Sequence, residues 1–350
     1  MNAGKGPIAR KIVAGCLLAL VLSAAPCAAP CQAAPWRFVV VGDTRGGDAW
    51  GINNTIVPEL AGQIAGMSIK PGFVLVPGDL VSSGSTAGAF GKWKEYMAPV
   101  YGAGIAVYPI IGNHDSSGLT AWNTVFGPDI LDNGPAGEIN RTYAVTYNNA
   151  LILNLDVYKT GHQVNQSWID AQLAARNPAT TPHVFFQGHE MAFKAVSHTD
   201  CLDDFPANRN AFWKSIADAG GRSYFAGHDH TYDHARIDDG DGNPSDDVHQ
   251  FIVGTGGAPF HTGAAVYNGS NSAFTPINVL TEAQFGYLIV DVDGPKATYT
   301  WMHRTGTNTY APGGDSFFYV VPEPSALVLL GSGAFFGLLA WAWRRRSKAA

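Results

Sequence analysis

Aspartate, asparagine and histidine recur in this chain at one kind of place, directly after a short apolar run and a glycine. Val39, Val40 and Val41 run into Gly42, Asp43, Thr44 and Arg45, and Val74, Leu75, Val76 and Pro77 run into Gly78 and Asp79. Pro109, Ile110 and Ile111 lead to Gly112, Asn113, His114 and Asp115. Phe185, Phe186 and Gln187 lead to Gly188, His189 and Glu190, and Tyr224, Phe225 and Ala226 to Gly227, His228, Asp229 and His230. Carboxylate, amide and imidazole together suit Mn, Fe or Zn better than a thiolate site would. One Gly-Asp pair alone is more often a turn or a helix cap, and His228 with His230 alone would fit alternate positions of a solvated strand. Five such exits in order, each after an apolar run, point instead to one shared crevice.

The elements that must position these residues follow from the pattern around them. Apolar, β-branched runs at Phe38 to Val41, Phe73 to Val76, Ile105 to Ile110, Leu151 to Leu155, His183 to Phe186 and Ser223 to Phe225 read as buried strands. Amphipathic stretches near Ile52 to Met67, Phe90 to Val100 and Val164 to Ala175 lie between the early ones. Strand alternating with helix predicts an α/β sheet covered on both faces, whose strand carboxyl ends are where sites assemble. Thr231 to Arg236, Gln250 to Val253, Tyr287 to Val292 and Ala297 to His303 follow one another without long helices, which predicts a second, more antiparallel sheet.

In that order the motifs resemble the calcineurin-like metallophosphoesterases, the superfamily that includes the purple acid phosphatases, over roughly residues 36 to 260. The resemblance implies an α/β fold of two packed mixed sheets flanked by helices, with two metal ions at the strand ends. It assigns Asp43, Asp79 and His230 to the first metal. Asp79 would bridge to the second, which Asn113, His189 and His228 complete. His114, with Asp115 to orient it, matches the family's histidine beside the scissile phosphate, and Gly254 to Gly257 resembles a glycine-rich stretch that often follows the last metal motif. Two divalent ions about 3.5 Å apart make a hydroxide available near neutral pH and neutralise charge developing on phosphorus. His114 would assist the leaving oxygen as general acid. There is a departure at Arg45, where the family's first motif usually ends in a metal-binding histidine, and Ser82 stands where purple acid phosphatases use a tyrosine. The first metal therefore has a thinner shell, and Arg45 is expected to grip a phosphate oxygen instead.

The two ends read as processing segments. Residues 1 to 33 combine Lys5, Arg10 and Lys11, an apolar run from Ile12 to Ala25, and Cys31, Gln32 and Ala33 at a cleavage site, a secretory signal. Ala326 to Trp343 is an uncharged stretch long enough to cross most of a bilayer core, and the basic tail of residues 344 to 350 begins with Arg344, Arg345 and Arg346. With Val321, Pro322, Glu323, Pro324 and Ser325 before it, the tail from 320 to 350 resembles a PEP-CTERM sorting signal. That implies a transient span, an exosortase-type processing enzyme, and a destination in the cell envelope or outside, with exopolysaccharide or the envelope itself as the open alternatives for what it associates with there. No linker divides residues 34 to 319, which read as one domain.

Seven of the 22 basic residues lie in these ends while every acid but Glu323 lies between them, so the body is far more acidic than the net charge of -6. That disfavours nucleic-acid binding. Only Cys201 remains after the signal, so no intrachain disulfide is available. The acidic run Asp238 to Asn243 lacks the glycine of a calcium loop, Pro244 standing in its place, and reads as a hairpin loop. Residues 193 to 209 carry no readable substrate code. The expected function is an exported, metal-dependent hydrolase of phosphoric esters, monoester or diester. The alternative is an envelope or matrix binding protein that kept the fold and lost turnover.

Overall fold

The computed structural model describes residues 34–270 and 273–321. The predicted signal and the apolar stretch 326–343 lie outside the described residues. Among the described residues no helix is long and apolar enough to cross a membrane.

The chain opens with β1 (Trp36–Val40), helix α1 (Ile56–Ala65), β2 (Phe73–Val76), helices α2 (Ala89–Tyr96) and α3 (Ala98–Gly102), and β3 (Ala106–Pro109). β1 to β3 are parallel. The predicted helix near Phe90 to Val100 is broken in two at Met97, with Pro99 in the first turn of α3, where its missing N–H costs nothing. After α4 (Leu119–Val125) come β4 (Tyr143–Tyr147), β5 (Ala150–Leu155), α5 (Gln166–Ala175), β6 (His183–Gly188), α6 (Pro206–Asp218) and β7 (Ser223–Ala226). The remainder is β8 (Tyr232–Asp238), β9 (Val248–Val253), β10 (Thr275–Glu282), β11 (Gly286–Asp293), β12 (Lys296–Gly306) and β13 (Thr309–Val320).

Two mixed sheets result, in the orders β13-β12-β11-β1-β2-β3 and β10-β8-β9-β7-β6-β5-β4. The late strands do not form a sheet of their own, as their spacing predicts. β11 pairs antiparallel with β1, and β8 pairs antiparallel with β9, so they extend the two parallel cores. Left unpaired, these edges of β1 and β9 would carry unsatisfied backbone groups, which the antiparallel strands satisfy.

The sheets pack face to face through aromatic rings, with Phe38 4.9 Å from Phe185 and 5.9 Å from Phe225. In the second sheet, alternate residues serve different layers. Ile152, Phe185, Phe225 and Phe251 join the core between the sheets, while Leu151, Leu153, Phe186 and Tyr224 meet Ile169, Phe212 and Trp213 of α5 and α6. Both faces of these strands are buried, which is why they read as continuous apolar runs. Parallel β1, β2, β3, β6 and β7 then deliver their carboxyl ends to one edge of the sandwich.

Candidate active site

Main-chain hydrogen bonds join the strand exits into one floor. Asp43 N–H donates to Gly78 O (3.0 Å), Gly42 N–H to Val253 O (2.9 Å), Gly227 N–H to His189 O (2.9 Å) and Gly256 N–H to Gly42 O (2.8 Å). The Gly254 to Gly257 stretch is thereby packed against the first motif. Two glycines make room for carboxylates: a Cβ on Gly112 would fall 2.1 Å from Asp79 Oδ1, and one on Gly227 would fall 2.2 Å from Asp43 Oδ2. Asp43, Asp79 and His228 take left-handed backbone angles (φ 53°, 52° and 71°), a conformation that is uncommon outside glycine and gathers at functional sites.

The structure brings Asp79, Asn113 and His189 together. His189 Nδ1 donates to Pro77 O at 2.7 Å, so the proton is on that nitrogen and Nε2 carries a bare lone pair. That nitrogen lies 3.1 Å from Asn113 Oδ1 and 3.4 Å from Asp79 Oδ1. Three acceptors thus face one another with no donor between them, an arrangement that a cation satisfies. Asp43 Oδ1 is buried without any partner, and one ligand atom each of Asp43, Asp79 and His189 lie within 4.8 Å of one another. Burial, then the charge of Asp79, push the Asp43 carboxyl well above its ordinary range, and burial raises Asp79. Burial, then His228, hold His189 well below it. The donor set fits a divalent metal.

Around His230 the filling is different. Its Nδ1 donates to Pro259 O (2.7 Å), and its Nε2 accepts from Arg45 Nη2 (3.1 Å). The same guanidinium has Nε 3.5 Å from Asp79 Oδ2, and His230 Nε2 is 3.6 Å from Asp43 Oδ1. Arg45 therefore points into the crevice and takes up the lone pair that a first metal would need. Burial and then Arg45 push His230 down to about 3.

His114 lies at the rim with its side chain 32% exposed, and its N–H donates to Asp79 Oδ1. Asp115 does not orient its ring, contrary to expectation. The Asp115 oxygens accept the N–H groups of Leu80, Val81 and Gly112, bracing the second motif's loop, and His114 Nδ1 is held instead by Ser82 O at 2.8 Å. His228 is buried, with Nε2 3.3 Å from Asp200 Oδ1, and its ring stacks on His198 at 3.7 Å.

Several residues here escaped sequence reasoning. Asp229, inside the last motif, accepts the N–H groups of Val196, Ser197 and His198, and so ties the otherwise unreadable 193–198 segment to the crevice. His261 Nδ1 accepts the His230 N–H at 3.1 Å, and its ring stacks on that of His230 at 4.1 Å. Position beside a motif was the only signal for Asp229, and His261 gave none. Other unmatched groups lie elsewhere. His234 and His249 bond each other in the second sheet, His303 bonds Glu282, and burial pushes the buried Cys201 thiol up to about 12. The acidic run 238–243 joins β8 to β9 as a hairpin loop.

Comparison with known proteins supplies the family and the fold. The family model described as calcineurin-like phosphoesterase matches residues 37–232, and that of the PEP-CTERM protein-sorting motif matches residues 320–346. Similar solved structures include a purple acid phosphatase from yellow lupin (Lupinus luteus) seeds, 17% identical with a TM-score of 0.60 over 83% of this chain and 55% of that one. GAP50 of the Plasmodium inner membrane complex is 13% identical with a TM-score of 0.56, over 83% of this chain and 90% of its own. PhoD is 11% identical with a TM-score of 0.54, over 85% and 72%. Identities this low show the fold alone, and this chain spans only 55% of the lupin protein's length. No curated protein matches the chain.

Proposed function

The chain belongs to the calcineurin-like phosphoesterase family, and we propose that it is an exported, metal-dependent hydrolase of phosphoric esters. Its PEP-CTERM motif indicates export to the cell envelope and processing by an exosortase. The observation that carries the hydrolytic reading is the convergence of acceptors with no donor between them. Asp79, Asn113 Oδ1 and His189 Nε2 meet at the strand ends beside the unpartnered Asp43 Oδ1.

A divalent cation held there supplies Lewis-acid polarisation of a phosphoryl oxygen and lowers the pKa of water. The protein's own groups do the rest. Arg45 has five N–H donors, of which the contact with His230 uses one, so its remaining donors can grip phosphate oxygens and stabilise charge in the transition state. The Ser82 carbonyl fixes His114 through Nδ1 and leaves Nε2 free to face the substrate, where the imidazolium gives its proton to the departing oxygen. Asp115 acts at one remove by holding the loop that carries Asp79.

Arg45 also favours a second reading, a binding protein of the envelope or matrix, because it occupies the first metal's place. The surviving acceptor cluster and His114 weigh toward the enzyme. A chromogenic phosphomonoester and its diester counterpart, assayed with metal content measured in the same sample, separate the two. Hydrolysis of either supports the enzyme. No turnover with Mn, Fe or Zn leaves the binding protein.

A further inference from the structure

The end of the sandwich opposite the crevice carries an exposed apolar corner. Strand β13 closes one edge of the first sheet, and its residues alternate between two faces. Phe317 and Tyr319 turn inward to the core between the sheets, while Phe318 and Val320 turn outward, 61% and 55% exposed. Across the ladder Val320 faces Lys296, whose Nζ stands 4.8 Å over the Phe318 ring. β13 runs antiparallel to β12, β12 to β11 and β11 to β1. Val320 therefore lies at the level of Trp36, where β1 starts, and away from Val40, where β1 leads into the crevice. The second sheet closes the same end. His183, the first residue of β6, donates from Nε2 to Gly294 O (2.8 Å) and bonds the Tyr319 hydroxyl through Nδ1 (3.0 Å). The PEP-CTERM motif matches residues 320–346 and so begins on this strand. Five residue steps join Val321 to Ala326, where the apolar stretch starts, a reach of at most about 18 Å.

We propose that, while the tail is uncut, this corner rests on an uncharged, zwitterionic lipid surface, with Phe318 and Val320 in the headgroup layer and the crevice turned away from the membrane. The inference rests on the reading of 326–343 as a membrane span and not on hydrolysis. Such a span holds Val321 within about 18 Å of the hydrocarbon core, and the headgroup layer fills roughly 6 Å of that distance. Phe318 stands two residues, about 7 Å, before Val320, so both side chains come within reach of the layer. Tethering makes up for their small area, because a contact too weak to hold free protein forms once its partner is kept at high effective concentration. Charge selects the lipid. β8 ends and β9 begins at this end of the molecule, so the acidic run 238–243 lies there with Asp246 and Asp247, and Asp293 is exposed in the turn before Lys296. Against those carboxylates Lys296 cannot draw the corner to an anionic surface, and apolar contact with a zwitterionic one remains. The crevice then opens to solvent, away from the headgroups of the bilayer that holds the tail.

The test uses residues 34–350, which contain every strand and helix described, in phosphatidylcholine vesicles. A photo-cross-linking side chain is placed by Phe318→benzoylphenylalanine or, as the contrast, by Phe205→benzoylphenylalanine. Phe205 lies on the connection that leaves β6 at the crevice and enters α6. Both positions are exposed, so neither exchange disturbs the core. After illumination, mass spectrometry should find phosphatidylcholine bound at 318 and none at 205. Insertion of the tail is read separately, as resistance to extraction at alkaline pH. An inserted tail with no lipid at 318, or with as much at 205, overturns the inference and leaves the sorting signal standing. Cross-links from 318 to a second copy of the chain in place of lipid do the same. Adducts that form only when phosphatidylglycerol is added make the contact one of charge and also overturn it. A chain that alkali extracts overturns the inference and the reading of 326–343 together.

Discussion

The two sides of the crevice start from the same kinds of residue and are filled in different ways. Around His189, lone pairs from imidazole, amide and carboxylate face one another with no proton between them. Around His230, an equivalent bare nitrogen is capped by the guanidinium of Arg45. In both places a backbone carbonyl fixes the tautomer through Nδ1, Pro77 in one and Pro259 in the other. The sides differ in the source of positive charge, which one side lacks and the other carries as a side chain. A fixed guanidinium needs no metal supply, but it cannot polarise water as a Lewis acid does. On the proposed function the His189 side would hold the metal, and Arg45 would grip the phosphate.

The strongest way to break this comparison is Asp79→Ala, which removes a carboxylate that both sides share. Bound metal and hydrolysis should be lost together, measured by elemental analysis and turnover on the same preparation. His114→Ala should lower kcat by about 100-fold while metal content stays near wild type, because in the proposed mechanism the ring serves the leaving group, and its Nδ1 is held by a carbonyl, not by the ligand set. If His114→Ala emptied the site as thoroughly as Asp79→Ala, the division of roles would be wrong.

Arg45 gives the next largest effect and the sharpest contrast. Arg45→Ala should raise KM for a phosphoester by about 10-fold, the scale of a charge-assisted hydrogen bond, without removing the His189-side metal. Arg45→His should let the His230 side bind a metal equivalent that the wild type lacks there, seen by titration. Unchanged KM in the alanine form together with unchanged metal affinity in the histidine form would mean that Arg45 serves neither role.

How far this was legible in the sequence depended on burial. β1, β2, β5, β6 and β7 are covered on both faces and announced themselves as apolar runs. β10 and β13 did not, since they are edge strands with many exposed positions and contain Pro276 in one and Pro312, Gly313 and Gly314 in the other, which read as turns. At the site, the motif residues could be found because each follows a strand. The direction of Arg45 could not, nor could the Ser82 carbonyl that replaced Asp115 as the partner of His114, because a main-chain acceptor leaves no mark in residue type. Asp200 sits in a loop with no strand before it, and only folding brings it to His228.

The smallest expected effect on activity asks whether a depressed imidazole pKa by itself marks the crevice. His249, in the second sheet, is pushed down to about 2 by burial, below even His230. Yet its Nδ1 is paired with His234 Nε2 at 2.7 Å, and its ring stacks on Phe317 at 3.9 Å, so it offers that nitrogen to no metal. A bare lone pair, not a low pKa, is what sets His189 apart. His249→Phe should accordingly leave metal content and kinetics unchanged, lower stability by unpairing His234 Nε2, and weaken the pH dependence of stability. The folded ring resists protonation while the unfolded one titrates near the ordinary value of about 6.5. Below that pH the unfolded state binds the extra proton, so wild-type stability is full above about 6.5 and falls as pH drops toward the folded value. At pH 5.5 the expected loss is about 1.4 kcal/mol. Urea unfolding at pH 7.5 and 5.5 should show the wild type losing more stability than His249→Phe over that interval. Equal losses in both would mean that His249 is protonated in the folded protein, and a loss of bound metal in the variant would tie the sheet interior to the crevice after all.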